Sequence, residues 1–201
     1  MKRPILLPLL LFLGTLAFGQ TVFVLELKDE INRPAARYIS HGIAAAEAAN
    51  ADLILLHLDT YGGRVDYADS IRSALLDTKI PTAVFIDRNA ASAGALISMA
   101  CDSIYMASGS SIGAATVVNG SEGAAAPDKY QSYWRSIMRS TAELQGRDPK
   151  IAEKMVDQNL DLPGISPVGQ VITFSTREAI QYGYCDGEIG SLAEAAEKMG
   201  F

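Results

Sequence analysis

Three apolar runs of strand length, Leu53 to Leu58, Thr82 to Ile86 and Ser103 to Met106, alternate with stretches of helical length, Val65 to Leu76 and Ala93 to Cys101. Strands separated by a dozen or more helical residues cannot close tight hairpins, so each connection must cross over a sheet and bring the chain back parallel. That constraint predicts an α/β domain with a mostly parallel sheet and surrounding helices. A further strand, Val22 to Leu27, leads into a helix from Arg33 to Ala49, with Asn32 placed to cap it and Pro34 in its first turn. At 201 residues, without a low-complexity block or charge run, the chain is long enough for one such domain.

The rest of the chain is less regular. Val118 to Ala126 has no periodicity and reads as a mobile loop, followed by a helix from Pro127 to Gln145. Asp148-Pro149 starts another helix, on which Lys150 and Lys154, four apart with Glu153 and Asp157, read as a solvated face. Ser175 to Glu178 has the form of a capping box, and Ser191 opens a terminal helix. Lys2 and Arg3, the apolar run Ile5 to Phe18 and the small-x-small site Ala17-Phe18-Gly19 predict an export signal over residues 1–19, with the domain occupying 20–201. Pro8 and Gly14 interrupt a run already short for a membrane span. The net charge of −6 becomes more negative once Lys2 and Arg3 are removed, which argues against nucleic acid as a partner. No His or Cys cluster has metal-ligand spacing, so neither metal nor cofactor is expected. Cys101 and Cys185 each sit in an apolar stretch and are expected to be unpaired.

Chemistry concentrates at Asn89-Ala90-Ala91-Ser92-Ala93-Gly94-Ala95, where a strand gives way to a helix. A hydroxyl at such a turn is pushed into a cleft, small neighbours admit a substrate backbone, and the helix N-terminus favours developing negative charge. Asp59-Thr60-Tyr61-Gly62-Gly63 forms a second glycine-rich strand end, and two such ends facing one cleft suit acyl transfer. Ser92 then needs a base. His57 lies within a strand and is one possible base, its alternative role being to pack beside Leu55 and Asp59 at period two, and His41 lies on the first helix. Among the lysines after Ser92, Lys129 stands beside Pro127, Tyr130 and Tyr133 at the start of a helix and is the stronger candidate. A lysine amine with the reference pKa near 10.4 is only about 0.04% neutral at pH 7, so a lysine base must be desolvated, here by Tyr130, Tyr133, Trp134 and Ala124 to Ala126 once a peptide fills the cleft.

Leu58-Asp59-Thr60-Tyr61-Gly62-Gly63, Ala91-Ser92-Ala93-Gly94-Ala95, Gly109-Ser110-Ser111-Ile112-Gly113-Ala114 and Lys129, taken in this order, resemble the protease domain of the NfeD family from about Thr21 to Glu197. That family comprises membrane-linked serine proteases of the Clp protease class, related to signal peptide peptidase A and built on the Clp protease/crotonase fold. The resemblance implies Ser92 as nucleophile, Lys129 as general base, the backbone amides of Gly63 and Ala93 as oxyanion hole, and Gly62 and Gly94 as supporting residues. Tyr61 departs from the family pattern, in which many relatives have proline. Longer members continue into transmembrane helices and a small β-barrel domain. The resemblance also implies an exported, membrane-associated or periplasmic protein that forms at least dimers and cuts extended apolar segments of membrane-associated proteins, notably stomatin-like partners. Val117-Val118 are placed to pair with such a peptide as an added strand.

Two other readings share the fold. A crotonase-type acyl-CoA enzyme would use paired amides on a thioester enolate, but it would not need Ser92, and CoA chemistry is cytoplasmic. A degenerate, non-catalytic scaffold in a membrane complex would need neither Ser92 nor Lys129.

Overall fold

A computed structural model describes residues 19–119 and 123–201; the expected leader, apart from Gly19, lies outside the described residues. Five strands run parallel in the order β1 (Val22–Leu27), β2 (Leu53–Thr60), β3 (Thr82–Ala91), β4 (Ser103–Met106) and, at the edge, β9 (Gly187–Glu188). Helices α1 (Arg33–Ala48), α2 (Val65–Asp77) and α3 (Ala93–Met99) make the crossovers, as the alternating pattern requires. Asn32 caps α1 by accepting from the Ala35 N–H at 3.0 Å, and Ala36, Ile39, Ile43 and Ala46 turn one stripe of that helix to the core.

The two faces of the sheet are covered unequally. On one, Ile54, Leu56, Leu58, Val84 and Ile86 join residues of α1, α2 and α3 in the main core. Two later helices, α4 (Asp128–Leu144) and α5 (Pro149–Lys154), add Trp134, Met138 and Ile151 to that core. On the other face, Leu53, Leu55, Ala83, Phe85 and Tyr105 form a smaller cluster with Ala195 of α7 (Leu192–Lys198). Central β2 is therefore apolar on both sides, which is why it reads as a continuous run instead of an alternating one.

Several elements differ from their expected extents. Strand β3 continues five residues beyond Ile86, because Asn89 to Ala91 leave the neighbourhood of β4 and pair instead with β5 (Ser111–Gly113). β5 in turn pairs antiparallel with β8 (Thr173–Ser175), which leads into α6 (Thr176–Gln181) through the expected Ser175–Glu178 capping box. The stretch expected as a loop contains a small antiparallel ladder, β6 (Val118–Asn119) with β7 (Ala124–Ala125). Lys154 is not solvated: it is fully buried, and its ammonium donates to the carbonyls of Gln158 (3.2 Å), Leu160 (2.5 Å) and Pro167 (2.8 Å). Cys101 and Cys185 are free and buried, as expected, and burial pushes the Cys101 thiol up to about 12. Among the described residues, no helix is long and apolar enough to cross a membrane, and no group of three His, Cys, Asp or Glu side chains is arranged to hold a metal ion.

Candidate active site

The divergence of β3 from β4 creates the site. Where β3 ends against β5, Ser92 turns the chain into α3 with φ 55° and ψ −117°, a left-sided conformation that a residue with a Cβ seldom adopts. Its N–H donates to the carbonyls of Gly113 (3.0 Å) and Ala114 (3.2 Å), so the end of β5 holds the turn in place. Strain of this kind costs about 1–3 kcal/mol and persists where the surroundings over-determine the backbone. The strained strand-to-helix turn holds Ser92 half-buried at the head of a helix that is itself buried throughout.

Gly62 lies directly against it, and Gly63 lines the same cavity. A Cβ on Gly62 (φ 105°) would stand 2.6 Å from the Ser92 Cβ, so only glycine admits this approach. The turn is fixed from behind: the Thr60 hydroxyl accepts from the Gly62 N–H (3.0 Å) and donates to the Asp29 carbonyl (2.7 Å). Ile31 donates to the Gly62 carbonyl (2.9 Å) and accepts from Arg64 N–H (2.8 Å). Gly94 packs on the same threonine, since a Cβ there would lie 2.7 Å from the Thr60 methyl. Among the described residues nothing accepts from the N–H of Gly63 or of Ala93. A hydroxyl beside two unpaired backbone donors is an arrangement able to take up an acyl group and stabilise its oxyanion.

A cavity of about 60 Å³ opens beside Ser92, lined by Gly63, Val65, Trp134 and the segment Ala115 to Val118. On its other side Gly63 borders a much larger cleft of about 510 Å³ with Lys28, Asp29, Glu30 and Tyr61. The structure thus brings Ser92, Ala93, Gly94, Gly62 and Gly63 together. Lys129 stands apart from the cavity lining, exposed in the first turn of α4, with its Nζ 4.8 Å from the centre of the Tyr130 ring. His57 packs on the far face of the sheet, tilted against Phe85, with its Nε2 3.3 Å from Asp87 Oδ2, and His41 is exposed on α1. Because His57 shares the face of Leu53 and Leu55, the sheet itself separates it from α3.

Sequence reasoning missed two organising residues. Gln131 of α4 pairs its carboxamide with the backbone of Val117, accepting from the N–H (3.1 Å) and donating to the carbonyl (2.6 Å). Val117 is therefore already engaged and does not offer the free edge expected for an added peptide strand. Thr60 was visible only as part of a motif. A threonine ahead of a Tyr-Gly-Gly turn is a signal for side-chain-to-backbone anchoring two residues on.

The chain is similar to proteins of known name and structure. Membrane protein NfeD1b of Bacillus subtilis is 36% identical over 94% of this chain and 43% of its own length. A membrane-bound protease of Pyrococcus horikoshii is 31% identical over 88% of this chain and 39% of its own length. The chain thus spans about two fifths of the curated relatives it matches. Among solved structures, a serine-to-alanine variant of the 1510-N membrane-bound stomatin-specific protease superposes with a TM-score of 0.78 at 28% identity, covering 90% of this chain and 85% of that one. A lysine-to-alanine variant of the same protease, in complex with a substrate peptide, has the same score and identity over 89% of this chain and 80% of that one. ClpP1 from Listeria monocytogenes, at 19% identity and a TM-score of 0.63 over 85% of this chain and 93% of its own, shares the fold. The model of the NfeD1b N-terminal domain matches residues 21–201, and the chain belongs to that family, with the Clp protease fold.

Proposed function

We propose that the chain is a serine endopeptidase in which residues 1–19 form an export signal and 20–201 the catalytic domain. Ser92 is the nucleophile, Lys129 the general base, and the amides of Gly63 and Ala93 the oxyanion hole. The observation that carries the reading is the strained Ser92 turn packed against Gly62, with a cavity alongside that Gly63 also lines. The names of the relatives and of the solved structures support a protease.

In the proposed reaction the Ser92 Oγ attacks the scissile carbonyl and passes its proton to the Lys129 amine. The oxyanion forms between the two amides, each contributing on the order of 10²- to 10³-fold in rate. Lys129 returns the proton to the leaving amine, and water releases the acyl group by the same route. In the peptide-free chain Lys129 is exposed, so the dyad is completed when a bound peptide excludes water from the amine. Exposed Tyr61, Val118, Tyr130 and Tyr133 favour apolar segments of membrane-associated proteins as substrates. A stomatin-like substrate and membrane association belong to the same reading and are supported by the relatives' names; an extracytoplasmic location and assembly into at least dimers belong to it as well.

The test is labelling with a serine-directed phosphonate followed by peptide mapping, alongside peptide cleavage by Ser92→Ala. Modification at Ser92 and loss of cleavage in a variant of unchanged melting temperature are expected. The position of Lys129 outside the cavity favours the scaffold as second reading. An unlabelled Ser92 in a folded protein would establish it.

A further inference from the structure

Two segments meet at the Gly62–Gly63 turn. Ile31, in the connection between β1 and α1, donates to the Gly62 carbonyl at 2.9 Å and accepts from the Arg64 N–H at 2.8 Å, forming a parallel bridge with Gly63. In such a bridge one residue bonds the two that flank its partner, so Gly63 turns its own N–H away from Ile31. Planarity makes that direction rigid. The Gly62 carbonyl and the Gly63 N–H lie on opposite edges of one trans peptide, and tying the first fixes the second. Thr60, 2% exposed, fastens the bridge from one end. Its hydroxyl donates to the Asp29 carbonyl (2.7 Å), two residues before Ile31, and accepts from the Gly62 N–H (3.0 Å), so a single oxygen holds both segments. The Thr60 methyl packs where a Cβ on Gly94 would stand 2.7 Å away, and with its β-branch seated there the side chain keeps one rotamer.

Resting on the protease reading above, we propose that Thr60 is a positioning residue for the oxyanion hole: without touching substrate, its hydroxyl holds the Gly62–Gly63 peptide against the β1–α1 connection and so aims the Gly63 amide at the developing oxyanion. Thr60 lies outside the cavity that Ser92 and Gly63 line, so its effect passes through the backbone. Without the hydroxyl, the Gly62 N–H and the Asp29 carbonyl lose this partner, and a turn whose two glycines stand at φ 105° and 157° is free to take up other conformations. A reacting group displaced by about 1 Å costs on the order of 10²-fold in rate, against about 10²- to 10³-fold for removing an oxyanion donor outright. The loss falls on turnover and spares binding, because the charge develops only on the way to the tetrahedral intermediate.

The experiment measures cleavage of a fluorescence-quenched apolar peptide by the full chain, by Thr60→Val, which keeps the shape and removes the hydroxyl, and by Thr60→Ser, which keeps the hydroxyl, with Ser92→Ala as the blank. Inhibition by a dileucyl boronic acid, which forms a tetrahedral adduct with a serine hydroxyl, reads the oxyanion hole separately. Thr60→Val is expected to lower kcat about 10- to 100-fold with KM within about twofold, and to weaken the boronic acid by a similar factor, while Thr60→Ser stays within about fivefold of the parent in both. If Thr60→Val fails to fold, Thr60→Cys, close to serine in size but a weak hydrogen-bonding group, takes its place. Unchanged kcat in a folded variant lacking the hydroxyl, a lowered kcat with full affinity for the boronic acid, or Thr60→Ser as slow as the variant lacking the hydroxyl would overturn the positioning role while leaving the protease reading intact. Absence of any Ser92-dependent cleavage by the parent chain would overturn both.

Discussion

Ser92 carries two burdens, the hydroxyl proposed as nucleophile and a backbone that its own Cβ opposes. Glycine adopts φ 55°, ψ −117° freely, at an entropic cost of roughly 0.5–1 kcal/mol in the unfolded chain against about 1–3 kcal/mol of strain relieved. Ser92→Gly is therefore expected to unfold at higher denaturant, by about 1 kcal/mol, while Ser92→Ala, which keeps the Cβ, leaves stability nearly unchanged. Chemical denaturation of the two variants checks this, and equal midpoints would show that the turn is unstrained. That Ser92 stands at a strand-to-helix turn was legible in the sequence, because small residues follow an apolar run. Its conformation was not, since the strain is imposed by the carbonyls of Gly113, the end of a three-residue strand too short to show any period, and of Ala114 just beyond it.

At the scale of elements, the long crossovers were readable because their apolar residues recur at helical spacing over several turns, as in Ala36, Ile39, Ile43 and Ala46. Lys154 shows where such reading fails. Lys150 and Lys154 look alike on a short helix, yet the second is buried by the irregular segment that returns over α5, whose carbonyls at Gln158, Leu160 and Pro167 it collects. Those three acceptors belong to a stretch without periodicity, so nothing near Lys154 announces them. Replacing the ammonium by an apolar group removes three charge-assisted hydrogen bonds, worth about 1.5–3 kcal/mol each, although the Gln158 carbonyl keeps a second partner in the Gly169 N–H. Lys154→Met is expected to lower stability by about 3 kcal/mol or more and to release the segment 158–167 to proteolysis, whereas Lys150→Met changes neither. Limited proteolysis with a melting curve distinguishes the two, and equal behaviour would show that Lys154 is not the strut described.

Across the whole molecule, burial holds thiols and a phenol neutral. Cys101 is pushed from its ordinary 9.0 up to about 12, Cys185 up to about 11, and Tyr184, whose hydroxyl donates to the Asp148 carbonyl, upward as well. Because the folded values lie above the unfolded ones, this stabilisation is complete below about pH 9 and is lost progressively as pH rises toward 12. Each thiol contributes a slope of roughly 1.4 kcal/mol per pH unit over its window. Denaturation midpoints between about pH 8 and 10.5 are expected to fall, and Cys101→Ala flattens the slope without abolishing it. A slope unchanged by Cys101→Ala would contradict the assignment. The proposed active site is likewise a property of the molecule as a whole, since its proposed nucleophile comes from the end of the sheet and its proposed base from α4, and the proposal has an occupied cleft shield the two together. Peptide cleavage by Lys129→Ala, Lys129→Arg and His57→Gln across about pH 6 to 10 tests that claim most directly. Both Lys129 variants are expected to be inactive, because alanine removes the proton acceptor and a guanidinium remains charged at every pH in the range, while His57→Gln keeps most of its activity from the far face of the sheet. An active Lys129→Arg protein, or an inactive His57→Gln protein of normal stability, would contradict it.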